Sequence, residues 1–391
     1  MNYLFVALGL LISVLLARLV IPKILAIAIR YSLYDISDDK RKIHTGAIPR
    51  IGGVSFTPCI LISMLFVIGI FYMFVGGAEN HGYYPNIPEF SFFFCGLLLM
   101  YLGGIKDDLI GMRYRTKFIF QIISSLFIVF SGLYINDFHG FFGIYEISPL
   151  IGIPLTVLVL VFIINAINMI DGIDGLASGI SIFALCIYGI LFFIQGTWFY
   201  SALAFSTIGV LVIFFFYNVF GNEKKGQKLF MGDSGSLTLG LILGFLAIRY
   251  AFHTSNTINP IGNVLVIAVS PILLPMLDVV RVMLLRAKRH KHLFSPDRNH
   301  IHHKLMEMGL CKSKALILLL CMTSSLCTAN FLLMKHWNCS YIFVLDIALW
   351  TLMNMCFTYL IKRRGLQQIS LNRKKREKKE DSNFVVVDRR A

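Results

Sequence analysis

The sequence predicts an all-α integral membrane protein of about eleven transmembrane helices, with the N-terminus outside and the C-terminus cytoplasmic. Three observations carry that prediction. Of the 391 residues, 57% are hydrophobic and only 15% charged, against about 25% charged in a soluble globular domain. Eleven apolar runs are long enough to cross a bilayer as helices. The basic residues also alternate from loop to loop. With the N-terminus outside, the inside segments 30–51, 106–117, 165–175, 221–233, 286–314 and 362–391 hold 31 of the 36 lysines and arginines, which is the positive-inside pattern.

In chain order the predicted spans are 3–25, 53–75, 90–105, 118–136, 150–166, 176–195, 198–220, 235–251, 261–285, 314–334 and 341–361. The first lacks a basic n-region and a small-residue cleavage site, so it reads as a retained span. The third, fifth and eighth are short, and their limits can shift by a few residues. Of the other basic residues, Lys335 falls outside, while Arg18, Lys23, Arg249 and Arg281 lie within spans. One missed or extra helix would invert every later loop and destroy the alternation. The eight cysteines fall mostly within spans and show no CxxC pairing; they read as small apolar residues, neither a disulfide framework nor a metal site. A single membrane domain, 1–361, is followed by a basic tail, 362–391, expected to be disordered and to lie near anionic lipid. Topology thereby accounts for the net charge of +15, and no nucleic-acid partner is expected.

Five polar stretches interrupt the apolar background, and all fall on the cytoplasmic side. They are DDKRKIHTGAIPRIGG (38–53), GGIKDDLIGMRYRTK (103–117), NAINMIDGIDG (165–175), LFMGDSGS (229–236) and SPDRNHIHH (295–303). The outside loops carry nothing comparable. A transporter would place polar groups near the midplane, reachable from both faces; here they ring one mouth. Asp107 and Asp108 are neighbouring carboxylates that repel unless they share a cation or one is protonated. Taken alone they are a helix end answered by Lys106, Arg113 and Arg115, or else a hard-cation site, since Mg²⁺ takes one or two carboxylates plus substrate phosphate. Asp171 and Asp174 share a face if the helix continues, and Gly172 and Gly175 let backbone or ligand come close. Asp233, with Ser234 and Ser236, is either a simple N-cap or part of a Gly-rich turn offering N–H groups to an anion. His300, His302 and His303 follow Arg298 with no cysteine or fourth ligand at a zinc spacing. With Lys291 and Lys304 nearby, anion recognition suits them better. Lys40, Arg41, Lys42, His44 and Arg50 supply a second cationic wall. Three glycine-associated acidic clusters on one side point to metal-assisted phosphate chemistry.

In this order the motifs KDD, NAINMIDGIDGLASG, FMGDSGS and SPDRNHIHH resemble the polyprenyl-phosphate N-acetylhexosamine-1-phosphate transferases (glycosyltransferase family 4), from the first loop to the ninth span. The His-Ile-His-His form is similar to the undecaprenyl-phosphate GlcNAc-1-phosphate transferase-like branch, which starts O-antigen, enterobacterial common antigen or teichoic acid linkage units. The branch that transfers phospho-N-acetylmuramoyl-pentapeptide usually has consecutive histidines. The resemblance implies a UDP-N-acetylhexosamine donor, UDP-GlcNAc before others, an undecaprenyl phosphate acceptor and release of UMP. It implies Mg²⁺ as cofactor, with Mn²⁺ able to substitute. It further implies a multi-pass enzyme of the bacterial inner (cytoplasmic) membrane, active site facing the cytoplasm, that contacts membrane lipids and is compatible with a homodimer. Carried over, Asp107, Asp108, Asp171 and Asp174 match catalytic positions, and Asp233 and Asn168 match the metal side. Phe230 matches an aromatic that stacks on uracil, and Arg298, His300, His302 and His303 match binders of the donor phosphates. Lys117 and Asn165 complete the substrate-binding set, and Asn218 matches a uridine contact. One departure is that the loop between Asn218 and Asp233 is longer than the family's usual form, lacks its Pro-Ala and adds NEKKG.

Two other classes fit less well. The CDP-alcohol phosphotransferases place Ala-Arg two residues after their first Asp-Gly. Here Asp171-Gly172 is followed by Ile-Asp-Gly-Leu, Asp174-Gly175 by Leu-Ala-Ser-Gly, and the next aspartate is Asp233. A lipid-phosphate transporter or flippase without chemistry explains a basic mouth but not an acidic constellation confined to one side.

Overall fold

The computed structural model describes residues 2–33, 48–75, 86–252, 264–290 and 299–387. Lys40, Arg41, Lys42, His44, Lys291 and Arg298 lie outside the described residues. The helices are α1 (Asn2–Arg30), α2 (Phe56–Val75), α3 (Ile87–Ile110), α4 (Tyr114–Phe130), α5 (Pro149–Ile170), α6 (Leu176–Ile194), α7 (Trp198–Phe215), α8 (Gly232–Phe252), α9 (Val264–Val269), α10 (Leu273–Lys288), α11 (Ile301–Glu307), α12 (Lys312–Leu333) and α13 (Cys339–Val387), with one hairpin, β1 (Asp137–Phe141) and β2 (Ile144–Glu146). Among the described residues, ten stretches are long and apolar enough to cross a membrane, α9 and α10 counting as one. The predicted span at 118–136 corresponds to α4, a 17-residue helix. At 1.5 Å per residue it is roughly 25 Å long, the short limit for a span.

The short predicted spans prove longer for a common reason. Reading apolarity alone stops at the first polar residue, whereas the helix runs on when that side chain finds a partner on a neighbour. So α3 carries Asp107 and Asp108 in its last turn, α5 carries Asn165 and Asn168, and α8 begins at Gly232, before Asp233. The start signals are local. Asn86 caps α3, its side chain accepting the Glu89 N–H at 3.3 Å, and Pro149 sits at the first position of α5 behind Ser148, where its missing N–H is not needed. Pro271 interrupts the ninth span between α9 and α10, since it can neither donate nor tolerate a continuous helix. The Tyr188 hydroxyl donates to the Ala268 carbonyl there at 2.6 Å, satisfying backbone that the break frees.

Helix α8 is the centre of the bundle. Nearly all of it is buried, against α3, α5 and α6. Gly240 and Gly244 bring it against α5, for a Cβ at Gly240 would stand 2.6 Å from Ile164 Cα and one at Gly244 2.9 Å from Leu160 Cδ2. Between helices in lipid, small residues four apart permit this approach where apolar burial gives no driving force. The hairpin was read as loop in the sequence. Its turn, Phe142-Gly143, has positive φ at both residues, 50° and 79°, the backbone a two-residue hairpin turn requires. At the other extreme of the chain, α13 runs on to Val387 where disorder was expected; the tail is rich in Lys, Arg, Glu and Gln, all good helix formers.

Candidate active site

The site is built where the C-terminal turn of α3 meets the N-terminal turn of α8. Asp108 caps α8. Its carboxylate accepts the Asp233 N–H at 2.6 Å and the Ser234 N–H at 2.9 Å, satisfying donors a helix start leaves open. The two backbones touch because residue 104 is glycine: a Cβ there would lie 2.4 Å from Ser234 Cα. The segment entering α8 pairs with the chain after the first loop, Phe230 N–H donating to Pro49 O at 2.9 Å and Gly53 N–H to Met231 O at 2.8 Å. That pairing sets Arg50 beside Phe230 on the cavity wall.

Lys117, in the first turn of α4, ties the acidic groups together. Its ammonium lies 2.6 Å from Asp233 Oδ1, 3.2 Å from Asp107 Oδ2 and 3.3 Å from Asn168 Oδ1. Asn168 in turn donates to Asp233 Oδ1 at 2.6 Å and Ser236 Oγ at 2.7 Å. Asp107 also accepts the Met112 N–H at 2.7 Å. Asn165, one turn deeper, exchanges amide hydrogen bonds with Gln121 of α4, at 2.7 and 3.2 Å.

The turn after α5 presents Asp171 and Asp174. Asp171 faces the same cavity as Asp233 and Asp174. Burial, then the charges of Asp233 and Asp174, push its carboxyl up to about 7, as apolar surroundings and like charges do. Asp174 pairs with Lys228 at 2.8 Å. Asn218 sits in a single turn of π-helix, Phe216–Phe220; it accepts the Gly175 N–H at 2.6 Å and donates to Leu229 O at 2.9 Å. It thereby braces the turn after α5 against the segment entering α8, and it also lines the cavity.

The histidines divide by position. His303 faces the cavity. His300 donates through its Nδ1–H to Asp278 Oδ2 at 2.9 Å, inside the protein. His302 is buried, stacked on His300, tilted against His303 and pressed on Gly172, where a Cβ would meet its Nε2 at 2.0 Å. Burial and the neighbouring histidines hold its ring down at about 3. It is therefore held neutral at pH 7.

A cavity of about 540 Å³ gathers Arg50, Asp108, Lys117, Asn168, Asp171, Asp174, Asn218, Phe230, Asp233, Ser236, His303 and Lys312. Of the residues singled out in the sequence, Asp107 stands behind this wall through Lys117, and Asn165, His300 and His302 do not line it. Lys312, Lys228 and Asp278 went unnoticed as site residues. Lys312 looked like the flank of a span, and Asp278 was hidden in an apolar run, although a carboxylate at that depth is itself a signal. Among the described residues no three His, Cys, Asp or Glu side chains are set to hold a metal ion. The donor chemistry still fits a hard divalent cation: Asp171, Asp174 and Asp233 offer carboxylate oxygens to one cavity, and Mg²⁺ needs only one or two carboxylates when substrate phosphates complete its shell.

Comparison with known proteins meets this geometry. The sequence profile described as Glycosyl transferase family 4 matches residues 90–251, the stretch that holds the site from α3 to α8. The chain is 26% identical to an undecaprenyl-phosphate alpha-N-acetylglucosaminyl 1-phosphate transferase of Yersinia pestis over 297 residues, 75% of this chain and 74% of that one. A protein of the same name from Salmonella typhi is 28% identical over 297 residues, with the same shares. A probable undecaprenyl-phosphate N-acetylglucosaminyl 1-phosphate transferase of Bacillus subtilis (strain 168) is 26% identical over 301 residues, 76% of each chain. Motifs, profile and relatives point the same way: the stretch 90–251 matches the glycosyl transferase family 4 profile, and the relatives similar to this chain over about three quarters of its length are named as undecaprenyl-phosphate N-acetylglucosaminyl 1-phosphate transferases.

Proposed function

We propose that the protein transfers an N-acetylhexosamine 1-phosphate, GlcNAc-1-phosphate first among them, from a UDP-sugar to undecaprenyl phosphate. It does so with Mg²⁺ at the cytoplasmic face of a bacterial inner membrane, as the first membrane step of a cell-envelope polysaccharide. One observation carries the reading: segments as far apart as Arg50 and Lys312 put acidic, basic and aromatic side chains on a single cavity at one end of the helix bundle. Such a place suits the meeting of a soluble nucleotide with a lipid whose phosphate stays at the interface.

In this reading an acceptor phosphate oxygen attacks the β-phosphorus of the donor. A new P–O bond forms, the bond to the bridging oxygen breaks, and UMP leaves with that electron pair. Two anions must approach, so positioned positive charge dominates catalysis. Asp233, with Asn168 beside it, would hold Mg²⁺, which neutralises diphosphate charge when bound. Arg50, Lys312 and His303 receive the donor phosphates, and Phe230 offers its face to uracil. Lys117 keeps Asp233 and Asp107 in register. Asp171, with its carboxyl near 7, is matched to accept a proton from the lipid phosphate at neutral pH, and it reaches the cavity where Asp107 does not. The test is UMP release by purified protein from a panel of UDP-sugars, with and without undecaprenyl phosphate, in Mg²⁺ and in EDTA. Release that needs both lipid and metal is expected; none with any UDP-sugar would favour transport.

A further inference from the structure

We infer that Asp278 is a positioning residue for donor binding, acting through His300; the inference rests on the function proposed above. Asp278 lies within α10, in a mostly apolar span, and its side chain is wholly buried. A carboxylate there is costly unless paired and hydrogen-bonded. Among the described residues, its partners lie mainly in the histidine segment. It faces His300 Nδ1 at 2.9 Å and accepts the Ile301 N–H at 3.1 and 3.2 Å. A further partner is Arg281, one turn along, at 2.8 Å. Arg281 itself donates to the Asn299 carbonyl. Two side chains of one membrane helix therefore grip residues 299–301 from ring, amide and carbonyl.

The consequence lies downstream. With His300 fixed and Ile301 buried, the start of α11 has one orientation, which turns His303 and Met306 to the cavity wall. A helix start could be capped by a residue of its own loop at less cost. A carboxylate supplied from inside the bilayer ties the phosphate-facing segment to the bundle and fixes which nitrogen of His300 carries the proton. Asp278 touches no substrate; it decides where His303 stands.

The test is a double-mutant cycle of Asp278→Asn and His300→Gln in the full-length protein, reading KM for the UDP-sugar, kcat and melting temperature. Each single change is expected to raise KM by about tenfold with kcat altered by less than about threefold. The double variant should be no more than about twofold worse than His300→Gln alone, because coupled residues are not additive. Asp278→Glu, which keeps the charge, should recover part of the lost affinity; if Asp278→Asn does not fold, it takes that variant's place in the cycle. Multiplicative effects, or a lowered melting temperature with KM unchanged, would overturn the role of Asp278 while leaving the function intact. A wild type that releases no UMP would instead overturn the functional reading, and the positioning role with it.

Discussion

At the scale of single residues, the site works by setting unlike environments around like groups. Asp233 and Asp107 share the Lys117 ammonium, Asp174 has Lys228, and Asp108 is spent on two backbone N–H groups. Asp171 is left with a carboxyl that titrates near neutrality. A base works only when deprotonated, so a raised carboxyl means that activity falls as pH drops through about 7. A pH–rate profile should show that acid limb, and Asp171→Asn should abolish it along with most of the rate; an unchanged limb would assign it elsewhere. Lys117→Met should cost on the order of 100-fold or more in kcat, the usual loss when one preorganised charge donor is removed, measured as UMP release at saturating donor.

At the scale of elements, function depends on how closely α3, α5 and α8 approach. Gly104→Ala forces a Cβ into Ser234 backbone, which cannot rotate aside. It should cost about 1–3 kcal/mol as overpacking and lower the melting temperature by several degrees, with activity lost because the Asp108 cap on α8 opens. An Ala variant that melts and turns over like wild type would show that the contact gives way freely. Much of this was legible in the sequence. Periodic apolar runs and alternating basic loops marked the spans, and glycine beside aspartate marked the clusters. The helix ends were not, because Asp107, Asn168 and Asp233 look like loop until their partners on other helices are seen. Asp278 was missed for the opposite reason, a charged residue masked by its apolar neighbours. The hairpin turn escaped because Phe142-Gly143 is not one of the usual turn pairs.

At the scale of the whole molecule, the segments that line the cavity stand at one end of the bundle, and the hairpin and the α12–α13 connection belong to the other. The proposed function puts that end in the cytoplasm, the side on which the positive-inside pattern expects the basic loops. In a cysteine-free background, an impermeant maleimide added to intact cells should label Asn338→Cys and spare Glu223→Cys; the reverse pattern would turn the protein over in the membrane. The central claim is that the sugar travels with its phosphate. Donor labelled with ³²P at the β-position decides it most directly, with undecaprenyl phosphate and Mg²⁺ present. The account predicts that label passes into the organic-soluble lipid while unlabelled UMP accumulates; label that stays in UDP, or never leaves the donor, would contradict it.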